Sequence, residues 1–196
     1  NAINYNPEAV EDDDSCIYDP TCQTIDIPAG WSMFSSYMIS DDMDITSVLS
    51  PIVDSVIMVK DNNGAPYLPE YNFNAIGQMT VGQGYQTKST GTVLLEICGD
   101  YAYPEDHPID LIAGWNVIGY LRLAPAPAYA ILADITSTGN LVLAKDDLGL
   151  AYLPEFNFNG IGDMHPGEAY QVKVNNADVL QYLSNDDSYR MSAMEV

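Results

Sequence analysis

Tyr67-Leu68-Pro69-Glu70-Tyr71-Asn72-Phe73-Asn74-Ala75-Ile76-Gly77-Gln78-Met79 returns 85 residues later as Tyr152-Leu153-Pro154-Glu155-Phe156-Asn157-Phe158-Asn159-Gly160-Ile161-Gly162-Asp163-Met164. Extended to Lys60–Lys88 against Lys145–Lys173, the match reaches 17 identities in 29 ungapped positions. Identity of that density implies an internal duplication. The 196 residues therefore divide into two units of roughly 75–85 residues, each large enough for a modest core of its own.

Working outward from the motif, both units read alike. A strand with a Gly-Trp start opens each one, at Thr24–Tyr37 and at Asp110–Tyr120. Ile45, Val48, Leu49 and Ile52 recur at helical spacing behind Asp44, a good N-cap, and Pro51 keeps that helix short. Its counterpart is Tyr129–Ile135. A β-branched strand at Ser55–Lys60 and a strand at Leu141–Lys145 lead into Asp61-Asn62-Asn63-Gly64 and Asp146-Asp147-Leu148-Gly149, both hairpin turns. The motif then reads as an extended Asn-rich loop, and two more strands close each unit. The expected fold class is mostly β (α+β): two tandem homologous β-rich units of sandwich or small-barrel type, each with one short helix. The expected boundaries are an acidic segment 1–22, unit one at 23–98, a Pro-rich linker 99–108, unit two at 109–183 and a polar tail 184–196.

Charge narrows the partners. The chain has 28 acidic and 6 basic residues, a net charge of −22, which repels nucleic acid and anionic lipid. Such a surface suits a medium of high salt or calcium, where counter-ions screen self-repulsion. Apolar residues make up 47%, which supports a folded core rather than disorder. No apolar run is of membrane-spanning length, so membrane insertion is not expected. The chain begins at Asn1 without Met, which reads as a processed chain or a piece of a longer one.

Three cysteines suggest an oxidising compartment. Cys22–Cys98 would join the two ends of unit one; Cys16–Cys22 would close a short turn. Either pairing leaves one thiol over. Glu11, Asp12, Asp13 and Asp14 offer oxygen ligands for Ca2+, although they lack the alternation and the glycine of an EF-hand. No other cofactor is implied.

Two resemblances follow from these motifs. The run N-Y-N-P-E-A-x-x-D-D-x-S-C over Asn4–Cys16 resembles a Cys-bounded acidic motif of large secreted and surface proteins of marine Bacteroidetes. The order GW[SN], short helix, K-D turn, YLPE[YF]NFN-x-IG-x-M and YQ-x-K resembles a repeated module of secreted multidomain proteins from the same group. The likeness covers nearly all of residues 24–183. It implies a secreted or cell-surface location and no enzymatic activity, and it brings no functional residues with it.

The residues themselves offer three kinds of chemistry. Tyr67, Glu70 and Asn72, with Tyr152, Glu155 and Asn157, set rings beside carboxylates and amides, as a glycan surface requires; alternatively the rings fill the core and the asparagines brace the loop. Glu70 and Glu155 could form a hydrolytic carboxylate pair, but equivalent positions in two repeats normally lie apart and in similar surroundings. Lys60, Lys88, Lys145 and Lys173 recur in register, which suggests ion pairs with Glu70 or Glu155, packed stems, or a Lys–Asn cross-link. Trp31 and Trp115 read as core anchors. The expectation is a non-catalytic extracellular structural or adhesive protein, a segment of a surface appendage, filament or adhesin, whose partners are other copies of itself or adjoining domains. The alternatives are a carbohydrate-binding module and a fragment of a glycoside hydrolase.

Overall fold

The structure, a computed structural model, describes residues 21–185. Glu11, Asp12, Asp13, Asp14 and Cys16 lie outside the described residues. Strand accounts for 45% of the described residues and helix for 15%, which places the chain in the mostly β class expected.

In unit one, a five-stranded antiparallel sheet runs in the spatial order Gly30–Phe34, Tyr85–Ser89, Val56–Lys60, Pro66–Leu68, Phe73–Asn74. Three further strands, Thr21–Ile27, Val93–Tyr101 and Met38–Ile39, form a second sheet. Period-2 alternation decides which side of each strand turns inward: Gln23, Ile25 and Ile27 are buried while Thr24 and Asp26 are exposed. Ile25, Ile27, Leu95 and Ile97 of the smaller sheet share one core with Phe34, Val59, Tyr67 and Tyr85 of the larger. Ile45, Leu49 and Ile52 join the same core from the short helix and the 3-10 turn that follows it. The unit is a sandwich with a helix.

The local devices explain the element ends. Asp44 caps the helix Ile45–Val48, its carboxylate accepting from the Thr46 backbone N–H at 2.9 Å. Pro51 sits in the 3-10 turn Ser50–Ser55 that follows. At the hairpin turn, the Asp61 carboxylate accepts from the backbone N–H of Asn63 at 2.9 Å and of Ala65 at 2.7 Å. The repeated motif is more regular than the expected loop. It forms a strand, a 3-10 turn at Pro69–Tyr71, a left-handed Asn72 with φ 47°, and a two-residue edge strand. Asn74 then braces the exit, its side-chain oxygen accepting from the N–H groups of Ile76 and Gly77.

Unit two repeats the large sheet as Gly114–Gly119, Ala169–Val174, Leu141–Lys145, Ala151–Leu153, Phe158–Asn159. Its smaller layer shrinks to Ile109–Leu111 paired with Asp178–Leu180. The helical segment splits into Ala128–Ile131 and Ala133–Ser137. In unit one the strand Val93–Tyr101 continues past position 98 into the stretch expected as linker, because Asp100 and Tyr101 find ladder partners in Ile39 and Met38.

The disulfide joins Cys22 to Cys98, which stand directly opposite each other in the ladder of Thr21–Ile27 with Val93–Tyr101. It closes a loop of sequence separation 76, a constraint on the unfolded chain of about 4 kcal/mol in the chain-entropy account.

The units meet about a pseudo-two-fold axis. Phe34 bridges Glu168, and Gln83 bridges Ile118. The Ser35 N–H donates to the Gly167 carbonyl at 2.9 Å, and the Gly119 N–H to the Gly82 carbonyl at 2.8 Å. Positions 34 and 118, 83 and 168, 35 and 119, and 82 and 167 are equivalent in the repeat, so each contact is made twice. Near the axis, equivalent positions face each other. A Cβ on Gly84 would fall 2.5 Å from the Ala169 Cβ, and one on Gly119 would fall 2.7 Å from the Ser35 Cβ. A symmetric dimer would need the same residue on both sides; duplication within one chain lets one side be glycine.

Gly84→Ala is therefore expected to destabilise the fold by about 1–3 kcal/mol through overpacking, read as a lower midpoint of urea unfolding. Alkaline pH provides a second test. Burial raises the hydroxyl pKa values of Tyr85, Tyr170 and Tyr182 above the ordinary 10.0. The Glu168 carboxylate, which accepts the Tyr170 hydroxyl proton, raises that one further. The unfolded chain releases these protons first. The stability they confer is thus present in full below about pH 10 and falls as the pH rises through the folded values. Tyrosinate absorbance is expected to appear together with loss of β-structure; free titration of all tyrosines in the folded state would contradict it.

Candidate functional site

The register of the large sheet determines what its outer face carries. Trp31 stands opposite Lys88, and Lys88 opposite Met58; Lys60 stands opposite Gln86 and Pro66. Tyr85, Thr87 and Ser89 point inward, which turns Gln86 and Lys88 outward. The Lys60 Nζ lies 5.5 Å from the centroid of the Trp31 ring, and the Lys88 Nζ lies 5.7 Å from it. Unit two repeats the arrangement: Lys145 Nζ is 4.9 Å and Lys173 Nζ 5.7 Å from the Trp115 ring centroid. Both spacings are those of cation–π contacts.

The two tryptophans are 52% and 45% exposed, so they are not the core anchors that the sequence suggests. The position after the glycine of each first strand points away from the core, and the inward neighbours are Ser32 and Asn116. All four lysines of the chain thus converge on its two tryptophans. The remaining basic residue among the described ones, Arg122, is buried.

The junction links the two platforms. A cleft of about 290 Å³ is lined by Trp31, Met33 and Gln86 on one side and by Lys145, Asp147 and Gln171 on the other. Its pseudo-symmetric counterpart, about 400 Å³, lies between Trp115 and the Asp61–Gly64 turn and shares Gln86, Lys145 and Gln171. Each hairpin turn reaches across the axis to build its cleft. Asn62 accepts from the Val117 backbone N–H at 2.6 Å. The equivalent Asp147 carboxylate accepts from the Met33 backbone N–H. Desolvation there, and then Asp146 beside it, hold the Asp147 pKa above the usual aspartate value.

The residues singled out from the sequence are distributed differently. Tyr67 and Tyr152 are buried, at 5% and 6% exposure, and are core rings rather than a sugar platform. The outward rings of the motif are Tyr71, Phe73, Phe156 and Phe158. Glu70, Asn72, Glu155 and Asn157 are exposed. Asn72 and Asn157 serve as left-handed ends of the 3-10 turns. Glu70 and Glu155 sit in those turns, each beyond the third strand of a different sheet, away from the junction strands. The structure does not bring these two carboxylates into one site. Cys22, Glu96 and Cys98 cluster closely enough for a metal, but the two sulfurs are bonded to each other. Among the described residues, no helix is long and apolar enough to cross a membrane.

The Trp–Lys platform escapes sequence reasoning because it depends on which strands are neighbours. The available signal is the repeated Gln-x-Lys of Gln86–Lys88 and Gln171–Lys173, alternating with inward Tyr85, Thr87, Tyr170 and Val172. Comparison with protein-family models, with curated proteins and with solved structures found no match.

A half-exposed ring contributes less to stability than a buried one. Trp31→Ala and Trp115→Ala are each expected to cost less than about 2.5 kcal/mol in denaturant unfolding. A loss of about 3–5 kcal/mol would mark a core anchor instead.

Proposed function

We propose that this chain is a non-catalytic adhesive protein of the cell exterior and that it binds glycans through the paired Trp–Lys face. The observation that carries the reading is the convergence of all four lysines on two half-exposed tryptophans within one face. An exposed indole offers a flat apolar surface to the C–H face of a sugar ring. The amides of Gln86 and Gln171 in the adjoining clefts supply donors and acceptors for hydroxyl groups. The Cys22–Cys98 disulfide is compatible with an extracellular location. The sequence resemblance to secreted repeat modules points the same way. The placement of Glu70 and Glu155 in separate sheets favours a non-catalytic role over a hydrolase.

The test is affinity electrophoresis of the full chain through gels loaded with neutral and acidic polysaccharides. Retention by at least one glycan is expected, and the Trp31→Ala/Trp115→Ala variant should lose it by tenfold or more while keeping its fold. Retention by none, or retention untouched by the double variant, overturns glycan binding at this face.

One observation favours a second reading, a subunit of an appendage or filament. Each large sheet ends on a two-residue edge strand, Phe73–Asn74 or Phe158–Asn159, whose ring is about half exposed. Such edges invite pairing with another copy. Concentration-dependent growth in sedimentation velocity, reduced by Phe73→Ser with Phe158→Ser, would support assembly; a monomer at all concentrations would exclude it.

A further inference from the structure

We infer that the glycan taken by this face is acidic: a polysaccharide strand bearing uronate carboxylates or sulfate esters, laid across the junction from the Trp31 platform to the Trp115 platform. The inference rests on the glycan-binding reading above and adds the charge of the ligand and the path it follows.

Charge placement carries it. The chain has 28 acidic residues against 6 basic ones. Lysines scattered for solubility would be dispersed among the acids. Here each ring is flanked by two ammonium groups, at 4.9–5.7 Å from the ring centroids. Each platform therefore offers a sugar ring a stacking surface and two cations within reach of its substituents. Lys145 lines both clefts, so one ammonium group lies between the two platforms.

Three carboxylates, Asp61, Asp146 and Asp147, line the same clefts. The Asp61 carboxylate accepts from the N–H groups of Asn63 and Ala65, and Asp146 accepts from the Leu150 N–H. Asp147 accepts from the Met33 N–H. These hydrogen bonds hold the three carboxylates toward backbone N–H groups within the turns and across the axis, while the four ammonium groups stand over exposed rings. The screening length is about 8 Å at physiological ionic strength and shorter in concentrated salt, so a bound strand responds to the charges it touches.

The measurement is equilibrium binding of the full chain to polygalacturonate, to its methyl ester, to dextran sulfate and to dextran, at low and high salt. Polygalacturonate or dextran sulfate is expected to bind at least tenfold more tightly than its neutral counterpart. That preference should shrink by tenfold or more between about 0.05 and 0.5 M salt. The arms separate carboxylate from sulfate as the favoured anion. Replacing Lys60, Lys88, Lys145 and Lys173 by Gln should bring acidic and neutral affinities within twofold of each other, and replacing them by Arg should retain the preference. Unchanged thermal unfolding of the Gln variant verifies that the fold survives. Equal binding of acidic and neutral polymers that depends on the tryptophans would overturn this inference and leave glycan binding standing. No binding of any polymer would overturn both. Self-association lost on Lys→Gln replacement, without glycan binding, would assign the face to a second copy and overturn the inference.

Discussion

Across the pseudo-two-fold axis, Gly84 faces Ala169 and Gly119 faces Ser35, with room for only one side chain in each pair. That approach lets the ends of the two large sheets exchange backbone hydrogen bonds, 35 to 167 and 119 to 82, without a packing layer between them. Everything on the outer face depends on it. Because the sheets meet end to end, the turns at 61–64 and 146–149 overhang the other unit and cap its N–H groups at Val117 and Met33. The clefts beside Trp31 and Trp115 exist only because each turn closes the other unit's platform.

Duplication explains why this works in a single chain. In a symmetric pair of identical units, any residue on the axis meets itself, and only glycine on both sides would fit. Backbone entropy and lost packing would weaken both strands at once. With two copies joined covalently, one side keeps Ala169 or Ser35 and the other yields with glycine. The Ser35 hydroxyl then becomes useful: it donates to the Glu168 carbonyl and accepts from the Tyr120 N–H, tying the strand ends together. The unlike partners Gln83 and Glu168, under Tyr85 and Tyr170, are a second divergence at equivalent positions.

The Trp–Lys platforms gather the lysines of a very acidic chain beside two exposed rings. A lysine stem laid by an indole keeps its ammonium in water while its methylenes cover ring carbon, an arrangement that costs little. The repeated motif has the complementary role. Tyr67 and Tyr152 fill the cores, Asn72 and Asn157 take the left-handed turn positions, and Asn74 and Asn159 hold the chain that follows. Its conspicuous rings and amides mostly build the sheet edge opposite the strand that carries the tryptophan.

Much of the fold was legible because it is written in local chemistry. The duplication, the hairpin turns at Asp61 and Asp146, the Asp44 cap, the short helix stopped at Pro51 and the alternation that makes a β-sandwich all follow from neighbouring residues. The candidate site was not legible, for a reason specific to sheets. A one-residue change of register moves a side chain to the opposite face, so the same residues predict Trp31 in the core or in solvent, and Tyr67 as platform or as core. The disulfide shows the same division. Spacing left Cys16–Cys22 and Cys22–Cys98 both open, and the register that sets Cys22 opposite Cys98 decided between them. The sequence alone determined two β-rich units and an acidic surface. Only the tertiary structure decided that the four lysines meet the two tryptophans, because that meeting depends on the order of strands within each sheet, which brings residues 29 and 57 positions apart in sequence onto one face.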